Sequence, residues 1–261
     1  MERQEVNISP VSILKGLNTR LIGRNILYYP SLPSTMDMAK RMAREGMGEG
    51  TVIIAGEQTA GRGRLGRKWL SPLGSSISLS VILRPTLAQL PQLNMAACLA
   101  TVQSIEKVTG LKPVIKWPND VLLNGKKVSG ILMENIFEGS ELKAAILGIG
   151  INAKLDASLF DEISAIATSL SAESRREVSP WEILPQLLKE FEQIYQELQG
   201  GGNIYERWLA LVETLGKLVR VKSGDEVEEG YAESINPNGS LILRRLDGSL
   251  ITVVTGESQT Q

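Results

Sequence analysis

In the stretch AGRGRLGRKW, residues 60–69, the glycines Gly61, Gly63 and Gly66 interleave with Arg62, Arg64, Arg67 and Lys68. Guanidinium forks grip carboxylate and phosphate oxygens bidentately, and glycine lets the backbone come close to what is gripped. The pattern predicts a loop that closes on a polyanion; the plainer alternative is a solvated basic loop. A second cluster lies in KWPND, residues 116–120. There Lys116 offers a point charge to a phosphate, and Asn119 and Asp120 offer the oxygen donors that Mg²⁺ accepts, although an Asx turn opening a hairpin looks the same. A third lies in NGKKVSGIL, residues 124–132, where Lys127 stands beside the small residues Ser129 and Gly130. An anionic reactant could approach the backbone there, or Lys126 and Lys127 could simply be edge-strand charges.

The spacing of the three glycines is superficially that of a dinucleotide turn. Such a turn must open a helix and be trailed by an acid about twenty residues on. Gly66 is succeeded instead by RKWLSPLGSS, with Pro72 and Gly74, and residues 80–90 hold no acid. No Gly-Lys-Ser/Thr closes the loop as a Walker A motif would. The chain contains no histidine at all, which removes the kinase catalytic loop, His-assisted nucleophiles and His-ligated zinc together. Chemistry here falls to Lys, Arg, carboxylates, backbone and a hard metal.

The elements that must position these groups read as α+β. Ser34–Gly46 carries an N-cap, a helical apolar set and a glycine stop, and TVIIA (51–55) reads as a strand. SSISLSVIL alternates, with Ile77, Leu79, Val81 and Leu83 on one face and Ser76, Ser78 and Ser80 on the other, predicting a half-buried strand lined by serines. A core helix is expected over 91–109, with the lone cysteine, Cys98, buried inside it. Asn124-Gly125 predicts a hairpin, ELKAAILGIGIN (141–152) another strand, and helical patterns return at about 158–170, 180–199 and 203–214. The helices lie outside the strand run, so a mixed or antiparallel central sheet flanked by helices is expected over residues 1–214, rather than alternating βαβ units. From residue 215 to 261, short strands separated by Ser-Gly, Asn-Pro-Asn-Gly and Asp-Gly turns predict a small SH3-like β barrel.

A net charge of -1 over 261 residues argues against whole-surface attraction to nucleic acid or anionic lipid. No stretch is apolar enough to span a bilayer, and MERQEVNISP lacks a signal-peptide core, so the cytoplasm is expected. Residues 1–30 are too few for a three-helix DNA reader.

Taken in order, STMD, EQTAGRGRLGRKW, KWPNDVLLNGKKVSGIL, GIGIN and ATSL, ahead of a small β domain, closely resemble the biotin protein ligase family, also called biotin–[acetyl-CoA-carboxylase] ligase. The resemblance runs from about residue 25 to the C-terminus. It implies a class II synthetase-like catalytic domain using ATP, Mg²⁺ and biotin. Biotinyl-5′-AMP would form first, and biotin would then pass to a lysine of a biotin carboxyl carrier domain. It further implies that Ser34, Thr35, Gln58, Gly61, Arg62, Gly130 and Leu132 hold biotin. Arg64, Trp69, Lys116, Asn119, Asp120, Lys127 and Asn152 would serve the nucleotide, with Asp120 at the metal. Lys127, Arg62 and Asp120 would carry catalysis, Lys127 bridging the biotin carboxylate and the α-phosphate.

Two departures stand out. The family's Ser-Thr-Asn is here Ser34-Thr35-Met36, and the ending GESQTQ is poorer in apolar and basic residues than usual. Many relatives carry an N-terminal DNA-binding domain, for which this sequence lacks room, so a ligase without repressor function is expected, with no nucleic-acid or membrane partner. Edge strands can pair between two subunits, giving a homodimer, or with the carrier; the residues do not choose. The rival readings are a lipoate-protein ligase or octanoyltransferase on the same fold, and a non-catalytic regulator that binds biotinyl-AMP.

Overall fold

Side-chain alternation writes two different faces on the main sheet. The computed structural model describes residues 17–260. Residues 1–16, on which the expectations about a DNA reader and a signal peptide fall in part, lie outside it. The sheet is 7-stranded: β1 (Ile26–Tyr29), β2 (Val52–Ala55), β3 (Ser76–Leu83), β4 (Val114–Lys116), β5 (Asp120–Leu123), β6 (Lys126–Glu138) and β7 (Glu141–Asn152), in the order β1-β2-β3-β7-β6-β5-β4. β1 and β2 are parallel, joined through helix α1 (Thr35–Arg44), and the other neighbours are antiparallel. The sheet is therefore mixed, with one βαβ crossover that the sequence reading did not anticipate.

The remaining helices are α2 (Leu90–Thr109), α3 (Leu170–Ser174), α4 (Pro180–Gln199) and α5 (Tyr205–Leu209). One face of the sheet, including Ile77, Leu79 and Val81 of β3 and Leu147, Ile149 and Ile151 of β7, is buried in one cluster with α2 and α4. Cys98 lies fully buried in α2, where desolvation pushes its thiol pKa up, so it is no nucleophile. α2 stops at Gly110, whose φ of 74° makes a left-handed cap. α4 starts on a capping box in which Ser179 and Glu182 exchange bonds with each other's backbone.

On the opposite face, Ile53, Ala55, Ile82, Ala144 and Ile146 meet Met36, Ala39 and Ala43 of α1. α1 begins at the N-cap Ser34, as the sequence indicates. It makes β3 differ from expectation: all eight residues are buried, not half of them. At its Ser80 end the serine face is covered by α1, where Ser80 Oγ donates to Thr35 Oγ1 at 2.9 Å.

One predicted helix is lost and another shortened for one reason, namely that tertiary pairing captures the backbone they would need. The 158–170 stretch holds only a 3₁₀ turn, Ala157–Leu159, before α3 begins at Leu170. Its end pairs with the start of β6, Lys127 N–H donating to Ile166 O at 2.8 Å and Thr168 N–H to Lys127 O at 2.9 Å. The 203–214 stretch is helical only over α5, because Ile115 of β4 bonds with the backbone of Leu211 and Glu213.

Strands β8 (Leu218–Ser223), β9 (Glu226–Ile235), β10 (Leu241–Arg244), β11 (Leu250–Val253) and β12 (Glu257–Thr260) form an antiparallel sheet in the order β11-β10-β9-β8-β12, the SH3-like unit. It is fastened to the main sheet at Trp117, which is 1% exposed. The Trp117 indole N–H donates to Gly239 O at 2.8 Å and its amide to Thr214 Oγ1 at 2.9 Å, while Ser258 Oγ donates to Trp117 O at 2.8 Å.

Candidate active site

Past the N-terminus of α1, the second sheet face is left without large side chains. Gly130 of β6 pairs with Gly150 of β7, Gly150 with Ser78 of β3, and Gly148 with both Ser80 and Leu132. Three larger side chains lie down on this floor. A Cβ on Gly150 would stand 2.4 Å from the Trp69 ring, one on Gly148 2.6 Å from Met36 Sδ, and one on Gly130 3.1 Å from Lys127 Nζ. The cleft above encloses about 1110 Å³, room for two small molecules side by side.

Thr35, Gln58, Arg62, Arg64, Trp69, Lys116, Asn119, Asp120, Lys127, Gly130, Leu132 and Asn152 all line this cleft. Ser34 and Gly61 do not; they shape it from behind. Ser34 Oγ caps α1 by accepting from Asp37 N–H at 3.4 Å. Thr35, held through its amide and hydroxyl by Gln58 Oε1 at 2.8 and 3.1 Å, fixes Gln58 against the helix end. A Cβ on Gly61 would meet Trp69 O at 2.3 Å, so only glycine permits this approach.

The glycine-rich segment is a hairpin, not a helix start. Trp69 N–H donates to Gly61 O at 2.9 Å and Gly63 N–H to Arg67 O at 2.7 Å, with Leu65 and Gly66 at φ 52° and 75° forming the tip. Gly63 has ordinary room for a side chain. The arginines already hold protein acceptors. Arg62 reaches Asp37 Oδ1 at 2.5 Å and Glu134 Oε1 at 3.4 Å. Arg64 donates to Asn119 Oδ1 and Thr255 Oγ1, both at 2.6 Å, and Arg67 pairs with Glu257. Burial lowers the Arg64 pKa, opposed by Asp120 and Glu257.

Lys127 owes its direction to a bulge. Val121 pairs with Ser129 but Leu122 with Lys127, so β6 carries one extra residue at Val128. Lys127 and Gly130, three apart, would face opposite ways on a regular strand; the bulge turns both toward the cleft. There Lys127 Nζ stands 2.7 Å from Asp120 Oδ1 and 5.8 Å from the centre of the Trp69 ring. Lys116 has no ion-pair partner among the described residues.

Three buried polar atoms on the cleft wall lack any hydrogen-bond partner among the described residues: Trp69 Nε1, Ser78 Oγ and Asn152 Oδ1. Buried polar groups are nearly always satisfied, and a cluster of orphans on one wall marks where a ligand's polar atoms belong. Asn152 is oriented by donating Nδ2–H to Thr168 O at 3.0 Å.

Sequence reasoning did not single out Ser78, Gly148 and Gly150, the Ile166–Ala167 stretch, or Glu257 and Ser258 of β12 as cleft residues. A signal for the first three was present. SISLS and GIGIN place a small residue at every second position, which leaves one strand face empty.

Comparison with known proteins places the chain in a family. Residues 28–152 match the biotin/lipoate A/B protein ligase family and residues 214–257 the biotin protein ligase C-terminal domain. The bifunctional ligase/repressor BirA of Bacillus subtilis is 37% identical over 246 residues, an alignment spanning 92% of this chain and 76% of that protein. The chain belongs to the biotin protein ligase family. Another biotin protein ligase relative, the biotin–[acetyl-CoA-carboxylase] ligase of Mycobacterium tuberculosis, is 32% identical over 85% of this chain and 83% of its own length. The biotin protein ligase of Aquifex aeolicus, solved with biotin and ATP, superposes with a TM-score of 0.78 at 28% identity, covering 91% of this chain and 99% of that one.

Proposed function

We propose that this biotin protein ligase family member activates biotin with ATP in the glycine-floored cleft and transfers it to a lysine of a biotin carboxyl carrier domain. One observation carries the assignment of roles: a bulge-directed ammonium, Lys127, stands over a side-chain-free floor at the join between two unlike ends of one cleft. At one end Leu132, paired with Gly148, lies beside Met36, Thr35 and Gln58, a mixed apolar and amide surface suited to biotin. At the other, Asp120 pairs with both Gly130 and Lys116, and Arg64, Asn119 and Asn152 complete a polar, cationic surface suited to a triphosphate.

In the first step a biotin carboxylate oxygen attacks the α-phosphorus, the bond to the bridging oxygen breaks, and pyrophosphate leaves. Lys127 lies against both anions, lowering their repulsion and the charge that builds as they join. Asp120 holds the ammonium in place. Lys116 and Arg64 meet the phosphate oxygens, and the Trp69 N–H and Asn152 Oδ1 supply a donor and an acceptor to the nucleotide. In the second step the carrier amine attacks the acyl carbon and AMP departs. Mg²⁺ fits the donor set: a cation brought in on a triphosphate needs one carboxylate beside phosphate oxygens and water, and Asp120 would hold it. When bound, it supplies neutralising charge to the phosphates.

Exchange of labelled pyrophosphate into ATP tests this reading. Exchange that requires biotin is the expected result; exchange that requires lipoate, or none with any acid, would overturn it. A floor mutation tests the division of the cleft. Gly150→Ala pushes the Trp69 indole into the nucleotide end and should raise the KM for ATP about tenfold, with a small change for biotin. Gly148→Ala displaces only the flexible end of Met36 and should act on biotin instead.

A further inference from the structure

Arg62 is the member of the glycine loop whose side chain leaves the loop toward α1 and β6. It joins Asp37 on α1 to Glu134 on β6, and Lys40 of α1 also pairs with Glu134. The chain of charges Lys40–Glu134–Arg62–Asp37 therefore alternates in sign and sums to zero. Its two anchors sit on the two elements that wall the biotin end of the cleft. Asp37 adjoins Met36, and Glu134 lies two residues beyond Leu132 on the same strand face. Burial and then the Arg62 charge lower the Lys40 pKa, as expected where two cations share one carboxylate. The far side of the hairpin is held separately, by Arg64 on Asn119 and Thr255 and by Arg67 on Glu257, so the Arg62 pairs are the ion pairs that tie the loop to α1 and β6.

We infer that Asp37 and Glu134 are positioning residues that latch the Arg62 side chain and thereby hold the glycine-loop backbone closed over the biotin end of the cleft. This rests on the proposed function for the identity of what is enclosed, but not for the latch itself. Neither carboxylate takes part in bond making. A latch of part-exposed ion pairs is weak, screened by salt, and governs how fast the loop opens.

The test uses the full chain and the variants Asp37→Asn, Glu134→Gln, their double, and Arg62→Gln. Chase of bound labelled biotin should show dissociation about three- to tenfold faster in the double variant, with little change in the first-order adenylation rate. Wild-type dissociation should quicken with added NaCl, and that of the double variant should not. In the Arg62→Gln background the two carboxylate changes should add nothing, a non-additivity that a merely structural role would not produce. Amide hydrogen exchange at Gly63 and Trp69, whose N–H groups close the hairpin, reads the latch without biotin and should quicken in the double variant. Unchanged exchange and dissociation, or full additivity with Arg62→Gln, overturns the latch. Quickened amide exchange in a protein that does not bind biotin overturns the proposed function and upholds the latch.

Discussion

Lys127→Ala should reduce biotin-dependent pyrophosphate exchange about a thousandfold while shifting thermal unfolding by no more than a couple of degrees. Two unit charges 4 Å apart interact by about 4 kcal/mol at an effective dielectric near 20, which is about a thousandfold in rate. The loss of one preorganised electrostatic group in other enzymes falls in the same range. Folding is spared because the side chain is 33% exposed and stands over a glycine, so its removal leaves no cavity in the core. Lys127→Arg keeps the charge but not the compact ammonium, and should recover part of the activity. Single-turnover formation of the adenylate measures the effect directly. Normal exchange by Lys127→Ala would remove this residue from the chemistry.

The second large effect is on folding. Glu192, in the middle of α4 and 6% exposed, accepts the backbone N–H groups of Arg20, Leu21 and Ile22 at 2.7, 2.7 and 2.8 Å. These three donors lie in the turn that feeds β1; the bond to Ile22 is buried and those to Arg20 and Leu21 are part-buried. Glu192→Ala should cost about 3–5 kcal/mol, because it takes one shared charged acceptor from a buried amide and two part-buried ones and opens a hole at once. The expected fall in Tm is on the order of 10 °C. Glu192→Gln keeps one carbonyl oxygen for the amides and should lie between. A Tm within 2 °C of wild type for Glu192→Ala would show that the turn is satisfied some other way.

These two residues were not equally visible in the sequence. Lys127 stood in a motif, because the groups that meet charged substrates are concentrated in short stretches around Gly61–Trp69, Lys116–Asp120 and Lys127–Leu132. The Asn124-Gly125 hairpin, the β7 strand and the long helices ending at Gly110 and starting at Ser179 were legible for a similar reason: each depends on neighbours in sequence. Glu192 was not legible, since in a helical repeat a carboxylate reads as solvated until the turn at Arg20 arrives from 172 residues away. The bulge at Val128 was hidden too. Register is a property of two strands, and KKVSGIL alone does not say which way Lys127 turns. The barrel's contribution through Thr255 and Ser258 depended on how two units dock, and the failed helix at 158–170 on pairing with β6.

The floor and the fold are two messages interleaved on the same three strands. Positions 79, 131 and 149 face the interior cluster, while 78, 130, 148 and 150 face the cleft. The cleft can therefore be retuned at the second set without touching the cluster on the α2 and α4 side of the sheet, while a methyl at position 148 meets Met36 of the α1 cluster. A one-residue slip of register along any of these strands, unlike the bulge that β6 absorbs at Val128, would exchange the two sets, turning leucines and isoleucines to the cleft face and serines and glycines against α2 and α4.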